Sequence, residues 1–317
     1  MILRRVAAPH RLFILVLALL SADAALAQSP IGTRAEGMAG AFVGVADDAS
    51  AVYWNAAGLA SGSIVSAVVS FGAGTDVPAP LQTSPNQRDR GGIVAFSATA
   101  IGVAYYGFTA YGLGAVEPAV TASQSREEVG RFVHAVTVQT AGVSVLQSLS
   151  ENIVVAATPR FVRGADTNAF DVDAGAMYSR RHVRFGLAAR NLVAPSIELK
   201  DRDLKIDLQR QVRAGAAWGS GFPGIASRVI VSADADLTTR AGASGDRRDV
   251  AAGIETWWQN QRLGLRGGVR RSTIGDARAA FAAGISAGLT SGLLMEAHVV
   301  RGSAGERSWS VGARMIF

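Results

Sequence analysis

The last ten residues of the chain constrain its fold more than any other stretch. Residues 308–317 alternate between polar and apolar side chains, with Ile316 as the one exception, and end on a phenylalanine. On a strand, one face would carry Trp309, Val311, Ala313, Met315 and Phe317. At about 3.3 Å per residue and a tilt of roughly 40°, Trp309 and Phe317 would stand about 20 Å apart along a membrane normal, near the height of an outer-membrane apolar band. The pattern predicts a membrane β-strand between lipid and a polar lumen.

The first 27 residues are predicted to be a signal peptide. Arg4 and Arg5 precede nine apolar residues, 12–20, and Ala25 and Ala27 supply the small side chains of a cleavage site before Gln28. A membrane anchor, the alternative, would need about 20 apolar residues. The mature chain is therefore expected to begin at residue 28 and to be exported.

Composition limits how an exported chain of this kind can reside in a membrane. Hydrophobic residues make up 49% of the chain, yet no run after residue 20 is long enough for a membrane helix, which leaves a closed barrel. Cysteine is absent, so a disulfide framework and thiolate chemistry are excluded. The net charge of +6 is spread over many strands without basic clusters that interleave with aromatics, which argues against nucleic-acid binding.

A period of two along residues 63–317 predicts an all-β fold, an antiparallel transmembrane barrel of about 14 strands. The strands are expected to start near Ser63, Gly91, Ile101, Arg131, Ile153, Asn168, His182, Arg210, Ser227, Asp249, Gln261, Arg278, Ser291 and Arg307. Charged residues on the polar faces are expected to line a wet lumen, namely Asp171, Arg190, Asp234, Asp236, Arg262 and Arg266. A soluble β-sandwich is the alternative, because alternation alone does not name the solvent of the apolar face.

The connections between the predicted strands support the same topology. The long ones, residues 73–90, 112–130, 192–209 and 238–248, follow odd-numbered strands, as a barrel with both termini in the periplasm requires. A turn centred between Arg180 and Arg181 would place Asp171 opposite Arg190. The polar face switches near Ala141 and Gly142 in the sequence pattern, which predicts a β-bulge there.

Residues 28–62 precede the first strand and do not read as a membrane strand. They are dense in glycine and alanine and contain the runs Gly37-Met38-Ala39-Gly40-Ala41-Phe42, Val45-Ala46-Asp47-Asp48 and Asn55-Ala56-Ala57-Gly58-Leu59. These runs resemble the N-terminal signature of the FadL-like outer-membrane proteins and their PorV-like relatives, although Ala39 replaces a glycine and Ala56 a proline. Arg190-Asn191-Leu192 also resembles a motif of the PorV-like relatives.

The resemblance implies that residues 28–62 form a hatch that blocks the lumen from inside. The residues that it assigns to the hatch motif are Gly37, Met38, Gly40, Asp47, Asp48, Asn55, Ala57 and Gly58. For Asp47 and Asp48, two roles stay open: capping a short helix that starts near Ala49, or forming a salt bridge with a lumen arginine.

Three functions in the outer membrane are candidates, and none of them is enzymatic. The first is uptake of hydrophobic, fatty-acid-like molecules, with vestibule candidates Val77, Pro78, Pro80, Leu81, Tyr111, Leu113 and Val116. The second is a partner or scaffold for secreted or envelope proteins, and the third is a general diffusion porin. The surrounding partner in every case is outer-membrane lipid.

No cofactor or metal site is predicted. His134, His182 and His298 are isolated from one another and from any cysteine, and no phosphate-binding or dinucleotide motif occurs. A hydrolase built on His298 with Glu296 on the same face is the remaining catalytic alternative, and a side chain solvated in the lumen is the simpler explanation.

Overall fold

The computed structural model describes residues 31–75, 89–115, 131–199, 204–222, 226–240, 246–259, 261–275 and 278–317. Its main feature is a closed antiparallel barrel of 14 strands, in which the first wall strand pairs with the last. A two-stranded hairpin lies outside the ring order. The predicted signal peptide, with Ala25 and Ala27, and the loop residues 77–81 and 116 lie outside the described residues.

The wall strands follow one another in chain order around the barrel, except that the small hairpin interrupts the numbering. The wall consists of β1 Val65–Thr75, β2 Asp89–Ala98, β3 Ile101–Ala115, β4 Arg131–Ser150, β5 Ile153–Gly164, β6 Thr167–Arg180, β7 Val183–Arg190, β10 Gln211–Phe222, β11 Ala226–Asp236, β12 Asp249–Trp258, β13 Leu263–Ser272, β14 Ala279–Thr290, β15 Leu293–Gly302 and β16 Arg307–Ile316. The hairpin consists of β8 Ser196–Leu199 and β9 Leu204–Asp207. Each wall strand begins within two residues of its predicted start, so the predicted barrel and strand number are confirmed.

The two ends of the barrel differ in their connections. Short turns join β2 to β3, β4 to β5, β6 to β7, β12 to β13 and β14 to β15 at the end where Val65 and Phe317 also meet. Outer-membrane barrels place short turns in the periplasm and long loops outside the cell, so this end is the periplasmic one. The long connections lie at the opposite, extracellular end.

The outward face of the wall is apolar and exposed. Phe71 and Trp309 on neighbouring strands are 52% and 43% exposed, and their rings pack edge to face with centroids 6.2 Å apart. Similar exposure holds for Phe96, Tyr105, Val143, Phe170 and Phe185, whereas the alternate residues of the same strands are buried. Apolar side chains exposed all around the outside of a closed barrel are typical of a barrel that lies in a lipid bilayer.

Among the described residues, no helix is long and apolar enough to cross a membrane.

The register of β6 and β7 differs from the predicted one by two residues. Arg180 pairs with Val183, so Asp173, and not Asp171, stands opposite Arg190. Arg181 takes a left-handed conformation, with φ of 53°, and moves the centre of the turn by one residue. Asp171 pairs instead with Arg160 across the strand boundary on its other side.

The bulge predicted near Ala141 and Gly142 is absent from β4. Its pairing with β3 is continuous from Arg131 to Val145. The apolar side chains of Val136 and Val138 face inward, where the sequence pattern suggested a polar face, and they belong to the main buried apolar cluster.

The ladder between β4 and β5 is interrupted at another place. Pairing stops after Gly142 with Arg160 and resumes at Val145 with Ala157. Pro159 lies in this gap, and proline has no backbone N–H to donate to the ladder. The hydroxyls of Ser144 and Thr158 lie 2.8 Å apart across the same gap.

Residues 31–62, the N-terminal segment, are enclosed by the wall. The segment forms two short helices, α1 Thr33–Gly37 and α2 Ala51–Trp54, followed by a 3-10 helix, Ala56–Ser61. Helix α1 contacts β1 and β13 to β16, whereas α2 and the 3-10 helix contact β3 to β6. A segment that touches opposite sides of one closed ring must lie inside it.

Glycines let the N-terminal segment approach the wall closely. A Cβ atom at Gly253 would stand 2.9 Å from the carbonyl oxygen of Met38, and one at Gly44 would stand 2.9 Å from the backbone of Ala216. Such separations leave no room for a side chain, so the segment and the wall meet backbone to backbone.

The β8–β9 hairpin folds over the extracellular side of the same lumen. Ile197 and Ile206 are almost fully buried, and they join one apolar cluster with Phe108, Val138 and Val162 of the wall. The hairpin therefore closes one side of the lumen with apolar side chains.

Candidate site in the lumen

Arg34 on α1 is the centre of a buried ion-pair cluster. Its guanidinium lies 2.5 Å from Asp47 Oδ1, 2.9 Å from Asp48 Oδ2 and 2.6 Å from Glu255 Oε2. All four side chains are less than a tenth exposed. Because Glu255 belongs to β12, this cluster ties the start and the middle of the N-terminal segment to the wall.

Asp47 is shared by three arginines. Its second oxygen, Oδ2, lies 3.2 Å from Arg184 and 2.9 Å from Arg228, which belong to β7 and β11. Burial by itself would raise the pKa of Asp47, but Arg34, Arg228 and Arg184 together hold that pKa well below its usual range. The carboxylate therefore stays ionised and binds the wall by charge.

Asp48 has a second role beside its ion pair. Its Oδ1 accepts hydrogen bonds from the backbone N–H and the hydroxyl of Ser50, the residue before α2. Asp48 thus fixes the turn that enters the helix, while Asp47 forms the salt bridges with lumen arginines. No side chain caps the first N–H groups of α2, so of the two roles that the sequence left open the structure shows the salt bridge, which both residues form with Arg34.

The other residues of the predicted hatch motif make backbone contacts. Asn55 donates from Nδ2 to the carbonyls of Val43 and Ala176, which join the segment to β6. Gly37, Met38 and Gly40 lie in or next to α1, and Ala57 and Gly58 lie in the 3-10 helix. All of them are buried.

A second set of contacts joins the segment to the extracellular half of the wall. Asp234 Oδ2 accepts hydrogen bonds from the backbone N–H groups of Phe42 and Val43, each 2.8 Å long. Glu36 lies 3.4 Å from Arg270, which also binds Glu306. Burial raises the pKa of Glu36, and Arg270 opposes that effect.

A cavity lies between the N-terminal segment and the extracellular half of the wall. Its volume is about 140 Å³. The segment contributes apolar and aromatic side chains, and the wall contributes ion-paired arginines and carboxylates. Its lining includes Ile31, Val43, Tyr53, Trp54, Ala188, Arg190, Arg213, Asp236, Arg240, Asp249, Arg270 and Glu306.

Aromatic rings on the segment organise the arginines of the cavity. The guanidinium of Arg190 lies 3.7 Å from the centre of the Tyr53 ring, and that of Arg213 lies 6.0 Å from the Trp54 ring. Arginine over an aromatic face is attracted by the ring quadrupole, so each ring holds a charge above an apolar floor. The cavity can accommodate both an apolar body and an anionic group.

Most of the predicted lumen charges are buried and ion-paired, which differs from the wet lumen that we expected. Asp171, Asp234, Asp236 and Arg266 are less than a tenth exposed, and Arg190 is partly buried. Each lies within ion-pair distance of an opposite charge, such as Arg213 with Asp234 at 3.4 Å. Arg262, by contrast, lies exposed in the turn before β13. That strand begins at Leu263, two residues after its predicted start at Gln261.

Arg160 and Asn191 form a hub that sequence reasoning did not assign to a site. Arg160 binds Asp171, lies 2.9 Å from Asp173 and donates to Tyr106. Asn191, left-handed with φ of 56°, accepts from Arg160 and donates to the carbonyl of Gln209. In the sequence, only the Arg190-Asn191-Leu192 motif pointed to this cluster. In the structure, β7 ends at Arg190, and Asn191 makes the buried hydrogen bond with Arg160.

The histidines occupy separate places. His182 is exposed in the β6–β7 turn, and His298 is buried with its Nδ1 2.8 Å from Ser310 Oγ. Glu296 binds Ser286 and Arg314. No group of three metal-ligating side chains occurs among the residues that the structure describes.

The chain resembles known proteins chiefly through its fold. A family model described as "F plasmid transfer operon, TraF, protein" matches residues 162–236. No curated protein shows significant sequence similarity to the chain.

Two of the similar solved structures each align with more than 90% of this chain. One, a "CymD monoaromatic hydrocarbon channel", aligns with a TM-score of 0.61 and 11% identity over 92% of this chain and 99% of its own. The other, a FadL homologue from Pseudomonas aeruginosa, aligns with a TM-score of 0.55 and 12% identity over 93% of this chain and 100% of its own. At these identities the likeness concerns the fold.

Proposed function

We propose that this chain, a FadL-like β-barrel of the bacterial outer membrane, takes up small hydrophobic molecules through a lumen that its N-terminal segment plugs. The cavity above the segment carries the proposal. It is bounded on its inner side by Tyr53 and Trp54 and lies in the extracellular half of the barrel. A ligand that enters from outside would meet this space before it meets the plug.

The size and lining of the cavity suggest the class of ligand. An apolar cavity of about 150 Å³ in another protein holds benzene, so about 140 Å³ suits one ring or a short alkyl chain. The arginines over the aromatic floor suit a carboxylate head group. A short fatty-acid-like molecule combines these two features.

Filling the cavity provides a test. Ala188 lies on the inward face of β7 and lines the cavity, whereas Ala189 is the next residue and faces outward. We expect Ala188→Trp to reduce uptake of radiolabelled octanoate by cells that lack their own fatty acid transporter, and Ala189→Trp to leave it unchanged. Equal uptake by the two variants, at equal surface abundance, would contradict the proposal.

The second candidate function is a scaffold for secreted or envelope proteins. The ion pairs of Arg34 and the backbone approach at Gly44 and Gly253 favour it, because a segment held so firmly need not move. In that case neither tryptophan variant would alter octanoate uptake from the level of cells without the protein. The same experiment therefore separates the two functions.

A further inference from the structure

The periplasmic end of the barrel carries an unbalanced group of arginines. The described residues 180–184, 226–228, 258–259 and 261–262 lie next to three consecutive periplasmic connections, and they contain five arginines and no aspartate or glutamate. We call this group the basic arc. It consists of Arg180, Arg181, Arg184, Arg228 and Arg262.

The members of the basic arc are accessible from the periplasm. Arg181 and Arg262 are exposed in turns, Arg180 is exposed at the end of β6 on the outward face, and the side chains of Arg184 and Arg228 are 18% and 33% exposed. Arg184 and Arg228 approach the same carboxylate oxygen, and the other three arginines add positive charge on neighbouring strand ends, so a ligand of opposite charge is favoured there.

The basic arc is linked to the N-terminal segment through one carboxylate. Arg184 and Arg228 both approach Asp47 Oδ2, while Arg34 holds Oδ1 of the same residue. Arg184 also donates to the carbonyl of Val45, 2.8 Å away. A new anion at the arc would compete directly with Asp47 for these two guanidinium groups.

We propose that the basic arc is a docking surface for an acidic segment, rich in aspartate and glutamate, of a periplasmic protein, and that docking loosens the N-terminal segment. Guanidinium groups pair with carboxylates in a bidentate geometry, and complementary charge favours such an encounter. The inward position of Arg184 and Arg228 favours a polypeptide over lipid. Head groups surround the outside of the wall, whereas a chain in the periplasm can reach its mouth.

A peptide pair tests the docking. The full chain in nanodiscs of phosphatidylcholine is titrated with fluorescent decaglutamate or decaglutamine, and binding is followed by anisotropy. We expect decaglutamate to bind and decaglutamine not to, with an affinity that falls as salt is added. The double variant Arg181→Glu/Arg262→Glu should weaken binding about tenfold, since two favourable contacts become repulsive.

A matched double variant controls for nonspecific attraction. Arg163→Glu/Arg301→Glu reverses two exposed charges at the extracellular end and should leave the affinity unchanged. No binding, equal losses in both double variants, or binding only when phosphatidylglycerol is added to the nanodisc would overturn the docking proposal. Heat-modifiable gel migration verifies that each variant remains a folded barrel.

Hydrogen exchange tests the link to the N-terminal segment. Decaglutamate should accelerate exchange of the amides in residues 42–50 at least several-fold, and Arg228→Gln should diminish that acceleration. Unchanged exchange in the presence of saturating decaglutamate would overturn the coupling. The result does not depend on which molecule the barrel carries, so it stands apart from the octanoate experiment.

Discussion

The lumen has two sides that are stabilised in different ways. On the side of β3 to β6, Phe108, Val138 and Val162 pack with the β8–β9 hairpin into an apolar core, and the buried charge there is one cluster, Arg160 with Asp171 and Asp173. On the side of β11 to β16, charged residues such as Glu255 and Arg266 are buried and ion-paired instead. One barrel thus combines an apolar core with an ion-pair network. We expect truncated apolar side chains to destabilise the first side, and lost charges or acid to destabilise the second.

The charged side should show the largest response to a single substitution. Arg34→Met would leave Asp47, Asp48 and Glu255 buried with fewer partners, and removing one partner of a buried ion pair typically costs about 3–5 kcal/mol. The free energy of unfolding in detergent, followed by denaturant titration, measures the change. Arg163→Met, at an exposed position, should change it by less than about 0.5 kcal/mol.

The apolar side should respond through lost packing. Ile206→Ala removes a side chain that is 2% exposed in the hairpin, and such truncations cost about 2–4 kcal/mol in well-packed cores. The cost should be independent of pH, whereas that of the Arg34 substitution should fall in acid, because the carboxylate partners of Arg34 then lose their charge. Lys205→Ala, at an exposed position on the same hairpin, is the control. If Ile206→Ala lowers the free energy of unfolding no more than this control does, the apolar side is loosely packed.

Acid should act on the charged side with a smaller, graded effect. The folded pKa of Asp47 is depressed, so its contribution is complete above its ordinary value of 3.8 and is lost as pH falls toward the folded pKa. We expect Asp47→Asn to be less stable than the parent chain at pH 7 and to lose stability less steeply below pH 4. Parallel pH profiles of unfolding for the two proteins would argue against this contribution.

The sequence predicted the inward residues of the charged side better than those of the apolar side. Alternation of charged and apolar residues identified the charged side because Asp234 and Arg266 differ in polarity from their neighbours. On β4, Val136 and Val138 face inward beside polar residues that face outward, so the same rule suggested a bulge. The inward face there depends on the hairpin, a tertiary contact that strand periodicity does not contain.

The alternation of polar and apolar residues also could not predict Arg34, the central residue of the ion-pair cluster. Arg34 lies in a helix of five residues, α1, within a stretch without periodicity, and its three carboxylate partners are 13, 14 and 221 residues away. The family motif drew attention to Asp47 and Asp48 but not to the arginine that joins them. The β6–β7 register was wrong for a local reason, since the left-handed conformation at Arg181 moved the turn.

The interruption at Pro159 has a mechanical consequence. Two successive residue pairs of the β4–β5 ladder are missing there, and the neighbouring strands are joined at that height by one hydroxyl contact, Ser144 with Thr158. Hydrogen bonds between strands are what keep a barrel circular in hydrocarbon, where no water replaces a lost bond. When the surrounding bilayer stretches or thins, the wall should therefore bend more easily at this seam than where β4 and β5 are fully paired.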